Sequence, residues 1–203
     1  MNKKKIIFID WDGTLCWSRF WESLLKSDLK FAEVVNNFFV SDKEIVIDWM
    51  KGKLKSEEIN KIISEKTGLP LDMIWQTFIS DCKKMEVYPE IVIFIKKLRK
   101  KYPVVLVTGN MDCFTRFTVP ALKLNEMFDY IVNSADVGYL KTDHNGKTFI
   151  DCLKRFNIDD ISSAYLLEDS LKTCTMFNQL GGTAFKINNK EDTLNCLKNL
   201  LEN

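Results

Sequence analysis

Apolar residues fall along this chain in two textures. Ile6 to Ile9 form an unbroken apolar run that stops against Asp10, the pattern of a strand covered on both faces. From about Leu15 to Lys84 the apolar positions recur every three or four residues, in "SRFWESLLKSDLKFAEVVNNFF", "SDKEIVIDWM", "KSEEINKIISEKTG" and "LPLDMIWQTFISDCKK". That spacing predicts amphipathic helices and no convincing strand. Ser41 with Glu44 three positions on reads as a capping box, Ser56 with Glu58 as a weaker one, and "TGLP" at 67–70 as a helix stop.

Beyond Tyr88 the textures alternate. A helix "PEIVIFIKKLRKK" opens with proline and closes basic. It is followed by a strand "PVVLVTGN", a helical stretch through Leu124, a strand "FDYIVNS" and a loop "ADVGYLKTDHNG". A helix "KTFIDCLKRFN", a strand "AYLLEDS", a short helix, a strand "TAFKIN" and a final helix complete the chain. Strands that each feed a helix predict an α/β fold with a doubly wound, Rossmann-like parallel sheet. Residues 1–14 and 85–203 would form this core, and residues 15–84 an inserted helical domain. A competing reading starts from Asp12-Gly13, a strong hairpin signal that would pair "IIFIDW" with "TLCW" as antiparallel strands.

Composition narrows the partners. The 203 residues are 46% hydrophobic and 28% charged, as in ordinary globular proteins, and 29 Lys and Arg balance 28 Asp and Glu. Nothing there calls for nucleic acid or a membrane surface, and the basic run Lys3 to Lys5 is too short to change that. Only four apolar residues follow it, too few for a signal-peptide core or a span, so a soluble cytoplasmic protein is expected. Six scattered cysteines without a CxxC pair, and a single histidine, His144, exclude a conventional zinc site. They read as buried free thiols. All five tryptophans precede residue 76; they are read as anchors of the helical domain's core, with an aromatic substrate pocket as the alternative.

Parallel strands would bring "DWDGT", "TGN" and "LLEDS" to one crevice at their carboxyl ends, near the lysine-bearing loop. Asp10 and Asp12, two apart on extended chain, would point to one side. Several carboxylates at one point repel unless a cation sits among them, and oxygen ligands alone select a hard ion such as magnesium. Thr108, main-chain amides from Gly109 onward and a lysine suit a phosphate dianion. Singly, each feature has a plainer reading: Thr108-Gly109-Asn110 as a turn, Lys141 as a solvated loop residue, Glu168-Asp169 as a helix cap, His144 as a loop residue beside an Asn-Gly turn.

Together, and in this order, the four segments resemble the motifs of the haloacid dehalogenase (HAD) superfamily in its phosphatase branch, and the inserted helices resemble that family's C1 cap. The resemblance implies Asp10 as nucleophile and Asp12 as general acid and base. It implies phosphate binding by Thr108, Gly109, Asn110 and Lys141, with Lys141 bridging nucleophile and phosphate. Magnesium would be held by Asp10, the Asp12 main-chain carbonyl, Asp169 and Glu168. Departures are Thr142 where proline often follows the lysine, which leaves Lys147 as a second candidate, and Glu168 and Thr173 where the GDxxxD pattern has glycine and acid. The expected activity is magnesium-dependent hydrolysis of a small phosphomonoester through an aspartyl-phosphate. A phosphomutase or a catalytically silent binding protein on the same fold are the alternatives. An ordinary aspartate is ionised at pH 7, so Asp12 would need burial or neighbouring carboxylates to carry a proton.

Overall fold

In the computed structural model, which describes residues 5–202, five parallel strands form one sheet in the order β3-β2-β1-β4-β5. Lys3 and Lys4 of the basic run lie outside the described residues. The strands are β1 (Ile6–Ile9), β2 (Val104–Thr108), β3 (Tyr130–Asn133), β4 (Ala164–Glu168) and β5 (Thr183–Lys186). Both neighbours of β1 run parallel to it, with Ile9 opposite Leu106 on one side and Leu167 on the other. The hairpin reading of Asp12-Gly13 is therefore overturned. Gly13 adopts φ +65°, and the N–H groups of Leu15 and Cys16 both donate to the Trp11 carbonyl, coiling the chain off the strand end.

Ile6 to Ile9 read as one apolar run because the sheet is packed on both faces. Ile7 and Ile9 join a core containing Ile91, Ile95 and Leu98 of α6 (Pro89–Arg99) and Leu197 and Leu200 of α12 (Lys190–Glu202). Ile6 and Phe8 point the other way, toward Phe149 of α10 (Lys147–Arg155) and Phe177 of α11 (Leu171–Gln179). Successive strand residues face opposite sides, so a strand with two covered faces has no polar position to show.

Between β1 and α6 lie α1 (Glu22–Ser27), α2 (Leu29–Ser41), α3 (Lys43–Met50), α4 (Ser56–Thr67) and α5 (Leu71–Lys83). They share a core of Trp21, Phe31, Val35, Phe38, Trp49 and Phe78, among others, which extends to Met111 and Cys113 beyond β2. Trp21 and Trp49 are thus packing anchors, while Trp11 packs in the core beneath the sheet. A π-type turn Phe114–Thr118, α7 (Val119–Ala121) and α8 (Leu124–Met127) link β2 to β3, and α9 (Ser134–Val137) follows β3.

The expected capping boxes did not form as read. Ser41 is the last residue of α2, and α3 starts from Asp42 with no side-chain cap. For α4 the N-cap is Lys55, whose N–H donates to Glu58 Oε2 at 2.8 Å, while Ser56 lies inside the helix and bonds elsewhere. Gly68 does end α4, at φ +74°. All six cysteines are free thiols. Among the described residues no helix is long and apolar enough to cross a membrane.

Candidate active site

The sheet's register places the chemistry. Asp10 leaves β1 with its N–H bonded to the Leu167 carbonyl at 3.0 Å, so it stands beside Glu168 at the end of β4. Lys141, in the loop after α9, reaches in with its Nζ 2.7 Å from Asp10 Oδ1 and 2.6 Å from Glu168 Oε2. Burial works against the ammonium, but Asp10 and Glu168 outweigh it and hold the Lys141 pKa above its ordinary value. The other candidate, Lys147, is exposed and pairs with Asp151. His144 packs edge-on to Tyr139 and is exposed.

Oxygens of Asp10, Glu168 and Asp169 all lie within 4.8 Å of one another. The donor set is three carboxylates without sulfur or nitrogen, which suits a hard divalent cation. The two adjacent acids are not equivalent. Both Glu168 oxygens are engaged, Oε2 by Lys141 and Oε1 by the Ser170 N–H at 3.0 Å. Asp169 instead lies against Gly13, where a Cβ would come within 2.7 Å of its Oδ2. Burial, then Asp10, raises the pKa of Asp169 against the lowering pull of Glu168, Lys141 and Lys186.

Asp12 takes a separate position. Its Oδ2 accepts from Asn110 Nδ2 at 3.0 Å. The amide's orientation is fixed because Asn110 Oδ1 accepts the Met111 N–H at 2.8 Å, which turns the donor end toward Asp12. The Asn110 N–H in turn bonds Asn133 Oδ1 at 3.2 Å. The structure departs from the sequence reading here: Asn110, expected to hold phosphate, has its side chain and N–H committed to Asp12 and Asn133. Asp12 opens into the cavity, yet the surrounding protein strips enough water that desolvation, reinforced by Asp10, raises its pKa to about 7.

Thr108 ends β2 with a buried hydroxyl that has no hydrogen-bond partner among the described residues. An unpaired buried hydroxyl is costly, so it marks a place for a ligand oxygen. Thr108, Gly109, Asp10, Asp12, Lys141, Glu168 and Asp169 all line one cavity of about 570 Å³.

The opposite wall of that cavity comes from the helical insert, and its attachment escaped the sequence reading. Asp112 is buried, and its Oδ1 accepts from Trp49 Nε1 (3.0 Å), Ser56 Oγ (2.6 Å) and the Ser56 N–H (3.1 Å). Its Oδ2 pairs with Arg116, which also forks onto Glu57. Ser134 Oγ donates to the Met50 carbonyl at 2.6 Å, and Lys51 pairs with Asp143 at 2.7 Å. No periodic signal marks such a polar junction.

Residues 4–181 match the family model of the haloacid dehalogenase-like hydrolases. The chain belongs to that family. Solved structures agree on the fold. A HAD family enzyme from Bacteroides thetaiotaomicron superposes with a TM-score of 0.73 at 18% identity, over 91% of this chain and 94% of that one. The same enzyme has also been crystallised in complex with magnesium and inorganic phosphate (TM-score 0.71, 18% identity, 90% and 93% covered). A 2-haloacid dehalogenase from Pseudomonas syringae pv. tomato DC3000 gives 0.65 at 17% identity, with 98% of both chains covered. Comparison with curated proteins found no match.

Proposed function

We propose that this HAD-like hydrolase is a magnesium-dependent phosphatase acting on a small phosphomonoester. The observation that carries the reading is the different treatment of two aspartates two residues apart. Asp10 is ion-paired to Lys141, whereas Asp12 is bonded to an amide and its pKa is raised to about 7. Two carboxyls whose environments part them in this way suit a nucleophile and an acid-base group at neutral pH.

The Asp10 carboxylate attacks phosphorus, and the bond to the leaving oxygen breaks as the aspartyl-phosphate forms. Lys141 and the Thr108 hydroxyl face the phosphoryl oxygens, the first supplying charge and the second its unpaired donor. Protonated Asp12 gives its proton to the departing alkoxide. As a carboxylate it then takes a proton from water, whose oxygen attacks phosphorus and returns Asp10 to its free form. Asp10 and Asp169, with Glu168 behind them, would hold magnesium, which when bound offsets the negative charge of cluster and substrate. Asn110 keeps the Asp12 carboxyl turned into the cavity.

Carbon–halogen cleavage is the second reading, favoured by the fold shared with the Pseudomonas syringae dehalogenase. Halide departs without a proton, so that chemistry would have no use for a protonated Asp12 or for a divalent cation among the carboxylates. Phosphate release from p-nitrophenyl phosphate with magnesium, abolished by excess chelator, is the expected result. Halide release from a 2-haloacid with no phosphatase activity would reverse the assignment.

A further inference from the structure

The wall facing the phosphoryl site is apolar. Phe20, Phe39, Val46 and Met50 of the helical insert line it, together with Met85 and Met111. Val46 and Met50 are four apart on α3 and so share one helix face. Phe20 is held in place by Trp49 and Phe78, with ring centroids 5.7 and 5.6 Å away. The Met50 methyl hangs over the phosphate end of the cavity, where a Cβ on Gly109 would meet it at 3.2 Å. Two polar residues from the insert's start, Ser18 and Arg19, also border the cavity, and each spends part of its hydrogen-bonding capacity within the protein. Ser18 Oγ accepts the Glu86 N–H at 3.4 Å, and Arg19 Nη2 donates to Asn36 at 2.8 Å. The remaining polar lining, Thr142, Ser170, Lys172 and Thr173, adjoins Lys141 and Asp169 in the chain and belongs to the charged end.

We propose that this wall selects phosphomonoesters whose leaving group is a compact hydrocarbon alcohol, alkyl or aryl, and rejects polyol and sugar phosphates. The inference rests on the phosphatase reading. A polyol placed there would bury hydroxyls against methyl, thioether and phenyl groups, and an unpaired buried hydroxyl is disfavoured by roughly tenfold or more in affinity. A methylene there gains instead, about three- to fourfold in affinity from the ~0.8 kcal/mol of a buried CH2. The cavity's size suits a small molecule, and the scarcity of polar groups on this wall, Ser18 and Arg19 apart, disfavours a sugar phosphomutase.

The test separates binding from turnover. n-Alkylphosphonates from methyl to hexyl, which cannot be hydrolysed, are titrated calorimetrically into the protein with magnesium. Affinity should climb three- to fourfold per methylene until the chamber fills, with a negative heat-capacity change. 2,3-Dihydroxypropylphosphonate should bind at least tenfold more weakly than n-propylphosphonate. Val46→Asn should shrink that ratio at least threefold, and Phe39→Ala should move the plateau to longer chains; calorimetric melting verifies that both fold. A flat series, or equal binding of the propyl and dihydroxypropyl compounds, beside active turnover of p-nitrophenyl phosphate overturns the apolar selection alone. A rising series with no phosphate released from n-butyl or p-nitrophenyl phosphate overturns the reaction, and with it the leaving-group role.

Discussion

On the floor of the cavity, Asp10 and Glu168 stand at the ends of neighbouring strands whose register is fixed by main-chain hydrogen bonds, and Lys141 ties them together. The wall across from them is built by helices joined to the core largely through side chains, above all those converging on Asp112. A floor held by the backbone keeps its geometry when side chains change. A wall held by side chains can be moved, reshaped or loosened by single substitutions. The difference teaches that chemistry and selection should respond to mutation separately.

The comparison breaks first if the floor is dispensable. Asp10→Asn should reduce turnover of p-nitrophenyl phosphate on the order of 10⁴-fold or more and abolish the phosphoryl-enzyme detected by acid quench and mass spectrometry. Retained activity would remove the nucleophile assignment. Asp12→Asn keeps the nucleophile and loses the proton donor and base, a change of about 10²–10⁴-fold. With an aryl phosphate the first step needs little acid help, so stopped-flow should record a burst near one equivalent followed by near-arrest. Asp169→Asn should raise the magnesium concentration for half-maximal activity at least tenfold, and Glu168→Gln less. The reverse ranking would make Glu168 the principal ligand.

The wall should behave differently. Asp112→Ala strands the Trp49 and Ser56 donors and Arg116, at a cost of about 3 kcal/mol, which in a chain of this size lowers Tm by about 6–12 °C. Its effect on p-nitrophenyl phosphate should fall on KM far more than on kcat. An equal loss in kcat would mean that the floor depends on the latch. The smallest effect is on stability against pH. Asp12 binds its proton more tightly folded than unfolded, so its contribution is fully present below about pH 4 and is lost as pH rises through about 7. Scanning calorimetry without magnesium should therefore give a Tm that declines between pH 5 and 8, and Asp12→Asn should remove part of the decline, the rest coming from Glu168 and Asp169, whose pKa values burial and then Asp10 also raise. Magnesium should restore more stability at pH 8 than at pH 5, because protons compete with it for the raised-pKa carboxylate oxygens of Glu168 and Asp169.

Floor and wall also differ in how far the sequence revealed them. Ile6 to Ile9 and the other apolar runs announced buried strands, and acids at strand ends in an open sheet could only meet at one crevice. Asp112 and Asn133 carried no such signal. Each is a lone polar residue that a turn or helix start would explain equally well, and only the docked insert shows Asp112 as a hub. Periodicity marked the helices of the insert but could not divide their apolar residues between two destinations. Phe38 packs inside the bundle while Phe39 faces the cavity, and Trp49 points inward while Met50 hangs over Gly109. An amphipathic pattern registers that a side chain avoids water, whether it meets protein or ligand.

The central position of β1 has a consequence for synthesis. Its two partners follow it by roughly 95 and 155 positions in the chain. At ~5–20 residues per second, a ribosome delivers β4 roughly 8–30 s after β1. Until β2 appears, roughly 5–19 s after β1 at the same rate, Ile6, Ile7, Phe8 and Ile9, none of which is exposed in the finished fold, have no sheet to enter. The insert emerges in between with an apolar core largely its own, so it can condense while the strand waits. Pausing within residues 22–83 would lengthen the exposure of a short, uncharged, β-prone segment, the kind most prone to pair with another nascent chain. Pulse-labelled chains stalled before residue 104 should therefore bind hydrophobic-segment chaperones, and chains released beyond residue 186 should not.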